Sequence, residues 1–164
     1  ALYREYDPDY LIAVDVKIVL EISSTGYQNT HNVWTNPNKA YKNIKNLNFF
    51  QPSKGWSSGP TALHLACRHD YNKIFILGFD YKGLNDGRNV NNIYSDSNNY
   101  KKSTDGATYF GNWLKQTSNI LKENPKTTFI RVIASDNYKP AELNKFSNIK
   151  HINIEEFKKL YHIS

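Results

Sequence analysis

The sequence predicts an α/β fold: a single domain built on a mostly parallel sheet flanked by helices. Three observations predict it. Short apolar runs alternate along the chain with segments of helical periodicity, the pattern of strands joined by helical crossovers. The run from Lys73 to Leu77, stopped by Gly78, is apolar without alternation, as in a strand covered on both faces. The 164 residues contain no internal repeat and no linker, and a chain of this size buries roughly 70% of its unfolded surface in one core.

Asp7-Pro8-Asp9 is a turn signal, and Tyr10 to Val14 after it is a compact apolar run, the first strand. Asp15 ends that strand. Val16, Val19, Leu20 and Ile22 give the segment Val16 to Ser24 an apolar helical face, and Thr25-Gly26 supplies its stop. His31 to Thr35 is a second strand cut off by Asn36-Pro37-Asn38. Ala40 to Lys45 is one helical turn, and Leu47 to Phe50 a short strand before the polar loop Gln51 to Lys54. Ser57-Ser58-Gly59-Pro60 then opens a helix: the two hydroxyls suit capping, and proline suits the first helical position, where its missing N–H costs nothing.

Lys82 to Gly106 is rich in Asn, Asp, Ser and Gly and almost free of apolar periodicity. A loop of this length in a compact domain is expected to act as a lid. Its aromatics, Tyr81, Tyr94 and Tyr100, are spaced too irregularly for a strand face; they either close over a ligand or pin the loop to the body. Thr108 to Asn124 is an amphipathic helix ended by Asn124-Pro125. Thr127 to Ile133 is a strand of high β propensity with a crevice edge after it. Pro140 to Asn144 is a helical turn, Ile149 to Asn153 the last strand, and Ile154 to Tyr161 a terminal helix with Phe157, Leu160 and Tyr161 inward.

The formal charge of +6 is spread as single lysines among asparagines, with no basic block to form a nucleic-acid arm, so nucleic acid is disfavoured as a partner. No apolar run approaches the roughly 20 residues of a membrane span, and no signal peptide is visible. With Cys67 as the single cysteine, a soluble, cytoplasmic protein is expected, and Cys67 reads as a core residue rather than a nucleophile.

Neither G-x-G-x-x-G nor G-x-x-x-x-G-K-[ST] occurs, and no G-x-S-x-G elbow is present. His64 and His69 fall on different faces of their helix, which argues against a metal pair. The remaining chemistry is the helix start. Free N–H groups, the positive end of the helix dipole and two hydroxyls suit an anion, phosphate above all, although an ordinary capped helix explains Ser and Pro equally well. Ligands of parallel sheets bind beyond the carboxyl ends of the strands, so Asp80 and Tyr81 are expected across the crevice from Ser57, Ser58, Gly59 and Thr61. Gly59 is expected to admit a ligand close to the backbone. Asp15, at a strand end and a helix start, is a helix cap, a ligand contact, or both.

Ser57-Ser58-Gly59, the small-residue helix after it, the run Lys73 to Tyr81 and the spacing from Ser58 to Asp80 resemble the T-S-G to G-I-D segment of the bacterial sialyltransferases with a Rossmann-like CMP-binding domain. The same segment is similar to the pterin-pyrophosphokinase-like proteins, and Asp9 to Asp15 is similar to uncharacterised proteins of this type from tailed phages. The resemblance implies a Rossmann-like fold and a nucleotide ligand, CMP-type or other, or a nucleotide-activated sugar, used by a glycosyl- or phosphoryl-transferase. Those families begin with a strand and a G-N-G-P-S-like loop that touches the nucleotide, and this sequence starts after that point. Aligning Thr104-Asp105 with the family's Thr-Asp-like pair puts Tyr100 where those enzymes have a base histidine, and a phenol with an ordinary pKa near 10 is a poor base at neutral pH. The competing expectation is a non-catalytic, phage-type interaction module that keeps the fold without the site.

Overall fold

The computed structural model describes residues 2–133 and 138–162, the side chains of residues 85 and 86 excepted. Its strands form two three-stranded parallel sheets. In the first, β1 (Leu11–Ile12), β2 (Val33–Thr35) and β3 (Asn48–Phe49) pair in the order β1-β2-β3. In the second, β4 (Lys73–Ile76), β5 (Thr128–Ile133) and β6 (Ile149–Asn153) pair in the order β4-β5-β6.

The first sheet is thin because its strands are short, and the helix α1 (Val16–Ser24) supplies most of its core. Ile18, Val19 and Ile22 pack on Leu11, Ala13, Val33 and Tyr41, while Leu20 points outward at 42% exposure. The buried face of α1 is thus rotated from the expected one, with Ile18 in place of Leu20. The second sheet is thicker. Five of the six residues of β5, Phe129 through Ile133, are buried, as a central strand with layers on both faces requires. Ile74 and Ile76 of β4 face a core made with Leu63 of α2 (Ser58–Cys67) and Leu114, Ile120 and Leu121 of α4 (Gly111–Glu123). Phe75, on the opposite face, meets Phe157 and Tyr161 of α6 (Ile154–Tyr161).

α6 begins with a capping box: the Asn153 side chain accepts from the Glu156 N–H, and the Glu156 carboxylate accepts from the Asn153 N–H, both at 2.8 Å. Of the three residues expected inward on α6, only Phe157 is half-buried. Leu160 and Tyr161 are 59% and 51% exposed: α6 packs chiefly on β5 and β6, and its Phe157–Tyr161 row meets the single ring of Phe75 on β4.

α2 joins the two halves. It packs on both β1 and β4, running back along β1 from Ser58, beside Val14, to His69, whose ring lies 5.1 Å from that of Tyr10. α2 is thus the crossover from the β1-β2-β3 sheet to the β4-β5-β6 sheet. Two parallel half-sheets joined by a crossover helix are consistent with a Rossmann-like fold.

The segment from Lys82 to Gly106 is a folded loop rather than a structureless one. It holds the one-turn helix α3 (Leu84–Gly87), bridges from Asn89 to Leu84 and Gly106, and a series of tight turns. The crevice edge expected after β5 falls on residues 134–137, outside the described residues. The remaining one-turn helix, α5 (Ala141–Asn144), buries Leu143 against the core of the second sheet. Among the described residues, no helix is long and apolar enough to cross a membrane.

Candidate functional site

The first turn of α2 opens between the exits of β1 and β4. Ser57 is the N-cap by backbone geometry, but its hydroxyl makes no capping bond; its N–H donates to Gln116 Oε1 at 3.1 Å. Ser58 Oγ accepts from the Val14 N–H at 3.2 Å, so this hydroxyl ties the helix to the end of β1. Pro60 is not at the first helical position but in the third, where its missing N–H still removes no helical bond. The N–H groups of Ser58 and Gly59 consequently point out of the helix start without a backbone acceptor.

Gly59 has a different local reason from the expected one. A Cβ built there would lie 3.0 Å from the Phe79 ring, so the missing side chain admits an aromatic ring from the β4 exit. Thr61 is buried and its hydroxyl donates back to the Trp56 carbonyl at 3.3 Å, which corrects its assignment to the phosphate end. Tyr81 is also corrected. It is 5% exposed at φ 56°, its hydroxyl 2.8 Å from Thr117 Oγ1, and it belongs to the core. Burial, only partly offset by the Thr117 hydrogen bond and the Arg131 charge, pushes its phenol up to about 12.

Asp80 is half-buried, and Asn91 Nδ2 donates to its carboxylate at 3.3 Å and to the Lys82 carbonyl at 3.1 Å, closing the loop's first turn. The lip that carries Asp80 is held from below by a residue that composition and motif reading passed over. Arg131, at the centre of β5 and 2% exposed, donates from Nε to the Phe79 carbonyl at 2.7 Å, from Nη2 to the Asp80 carbonyl at 3.2 Å and from Nη1 to the Tyr138 carbonyl at 2.8 Å. The signal was present in the sequence as one arginine inside the apolar run Thr128 to Ile133.

Asp15 is the N-cap residue of α1, exposed, with no side-chain capping bond, so its carboxylate remains at the β1 exit. The structure thus brings Ser57, Ser58, Gly59, Asp15 and Asp80 to one edge. Tyr94 and Tyr100 form a separate group. Their rings lie 5.4 Å apart, the Arg4 guanidinium sits 5.5 Å over Tyr100, and Tyr100 packs on the core of the first sheet. Of the two readings of these tyrosines, the contacts are those of residues that pin the loop. Burial raises the Tyr100 phenol and the Arg4 charge offsets it only in part, so less of it is ionised at neutral pH than of an ordinary tyrosine.

Arg4 is the centre of that anchorage. It donates to Glu21 through Nε and Nη2 at 2.7–2.9 Å, to Ser97 Oγ at 2.9 Å and to the Asn98 carbonyl at 3.0 Å. Glu21 also accepts from Tyr3 and Asn99, each at 2.6 Å. Burial alone would raise the Glu21 carboxyl, but the Tyr3, Arg4 and Asn99 hydrogen bonds and the Arg4 charge hold it at about 2. Cys67 shows the opposite balance: burial, reinforced by Glu123, pushes its thiol up to about 11, so it is protonated at neutral pH, as a core residue is. No metal-binding group of His, Cys, Asp and Glu side chains is found among the described residues.

Compared with family models, curated proteins and solved structures, the chain finds no match.

Proposed function

We propose that this domain binds a nucleotide or a nucleotide-activated compound at the α2 helix start, with the phosphate on the Ser58 and Gly59 N–H groups and the Ser57 hydroxyl. The observation that carries the reading is positional. α2 begins the crossover between the two half-sheets, touching β1 through Val14 and the β4 exit through Phe79, and the carboxyl ends of the strands are where Rossmann-like sheets take their ligands. The helix dipole adds about 0.3–1 kcal/mol for an anion at an exposed start. Asp80 and Asp15, as acceptors, suit ribose or sugar hydroxyls rather than phosphate. A transferase role rests on the resemblance to the sialyltransferase segment, and Tyr100 would not serve as its base.

The second reading, a non-catalytic interaction module, is favoured by one observation: the Phe79 ring occupies the space that Gly59 leaves open. A thermal-shift panel of CMP, CDP, UDP, GDP and adenine nucleotides, with and without sugars, separates the two. A nucleotide at a hundred times its Kd should stabilise the domain by about 2.7 kcal/mol. No shift from any of them at millimolar concentration would leave the interaction module as the reading.

A further inference from the structure

A second concave site lies on the flank of α2, running from Trp56 and Thr61 beside its first turn to Arg68 at its end. It is a cavity of about 390 Å³ between the carboxyl ends of β2 and β3 and the helix face that carries His64 and Arg68. Its walls are apolar where Phe50, Pro52 and Trp56 form them, and its polar lining comes from Asn36, Gln51, Lys54, Thr61, His64 and Arg68. Asn36 accepts from Ser53 Oγ at 2.8 Å through its carbonyl oxygen, which leaves the amide N–H groups for the cavity. The His64 ring lines the cavity with its Nδ1 sealed from solvent and without a partner, so Nε2 is the nitrogen left to the cavity. In the tautomer that carries its proton on Nε2, the ring offers Nε2–H to the cavity as a donor.

Charge points the same way. The Arg68 guanidinium is exposed at the end of α2 and has no carboxylate partner among the described residues. Lys54 is already held by Glu123 at 3.0 Å, and its ammonium lies 4.5 Å over the Trp56 ring, fixing that wall. Among the described residues, no carboxylate lines the cavity. Arg68, His64 and Asn36 bring a cation and donors to a pocket with apolar walls, beside the Gln51 and Thr61 side chains.

We propose that this cavity binds a small organic anion, an oxyanion head on an apolar ring, with Arg68, His64 Nε2–H and the Asn36 amide around the head and Phe50 and Trp56 against the ring. Burial, followed by the Lys54 charge and then that of Arg68, lowers the His64 pKa against the opposing charge of Glu123. An anion beside it reverses the balance and raises that pKa. Arg68 lies nine residues along from Gly59, roughly 13 Å at the helical rise, so the anion head sits apart from the helix start, which the Trp56 and Thr61 wall of the cavity borders.

Phenyl phosphate is the probe, titrated into the intact chain while the His64 ring and the Trp56 indole are followed by NMR. Saturable shifts at both residues, a rise of His64 pKa and at least a tenfold weakening by Arg68→Ala, partly restored in Arg68→Lys, are expected. Ser57→Ala should leave this binding unchanged, which separates it from any nucleotide at the helix start. Benzyl alcohol should not saturate the site, and inorganic phosphate should bind more weakly for want of the ring. Equal affinity for inorganic and phenyl phosphate, binding indifferent to Arg68→Ala, or no shift at millimolar probe would overturn the proposal.

Discussion

Ser57 and Ser58 are identical in sequence terms and opposite in use. The Ser58 hydroxyl accepts the Val14 N–H and so belongs to the fold, whereas the Ser57 hydroxyl has no partner among the described residues. Ser58→Ala should therefore cost about 1 kcal/mol with no ligand present, and Ser57→Ala should melt within about 0.5 kcal/mol of wild type, as partner-free surface changes do. Only the second is a clean probe of phosphate binding. If Ser57→Ala abolishes a nucleotide-induced thermal shift while keeping the unliganded melt, the helix start is the ligand site; an undiminished shift would remove Ser57 from it. Gly59→Val is compromised as a test, since the new side chain meets Phe79 whether or not a ligand binds. Arg131 carries the largest single-residue stake in the crevice. Arg131→Met keeps much of the volume but leaves the Phe79, Asp80 and Tyr138 carbonyls short of a donor, a loss of about 1–3 kcal/mol for each one left buried and unpaired. Denaturant melts should show a destabilisation of about 2–4 kcal/mol, and a change below about 0.5 kcal/mol would mean that water replaces the guanidinium at the lip.

At the scale of elements, the loop from Lys82 to Gly106 is held by polar contacts to residues far away in the chain. Glu21 stays ionised in the latch down to about pH 2, below its ordinary value near 4.5. A carboxyl depressed in this way stabilises the latch fully above about 4.5 and loses that contribution as pH falls toward 2. Glu21→Gln imitates the protonated state at neutral pH, and it should expose the segment Asn98 to Lys102 to limited proteolysis at a rate well above wild type. Equal cleavage rates would show that Tyr100 packing alone holds the loop. The same element shows where sequence reading stops. α1, β6 and α6 have their expected bounds because each is written locally, α1 by the Thr25-Gly26 stop and α6 by the Asn153 and Glu156 capping box. β4 was legible from its apolar run and β5 from its high β propensity. The loop was not, because Arg4 meets Ser97 and Glu21 meets Asn99 across most of the chain, and no periodicity records such pairs. The site was legible to the same depth: the place of Ser57 to Gly59 followed from strand and helix order, but the inward turns of Thr61 and Tyr81 depended on Trp56 and Thr117, set by packing.

The whole molecule is two parallel half-sheets of unequal strength sharing one helix. The β4-β5-β6 half has strands of four to six residues and a central strand buried on both faces, whereas β1, β2 and β3 have two or three residues each and lean on α1. Stability in such a molecule is not uniform, and the weaker half can open while the stronger stays folded. Native-state hydrogen exchange should place the β5 amides, Phe129 among them, at the free energy of global unfolding, and the amides of Ala13 and Phe50, which bond to Trp34 and Thr35, at a distinctly lower one. Substituting the core of each half tests the assignment. Ile76→Asp buries an unpaired charge in the stronger half and should abolish cooperative folding, whereas Val19→Ala leaves a cavity of two methyl groups in the weaker half. That variant should speed exchange at Ala13 and Phe50 by more than at Phe129. A ligand at the α2 start touches the exits of both halves, so it should slow exchange at Ala13 most, raising the lower free energy toward the global one. Uniform protection across the two sheets, unchanged in pattern by Val19→Ala, would mean that α2 couples the halves into a single cooperative unit.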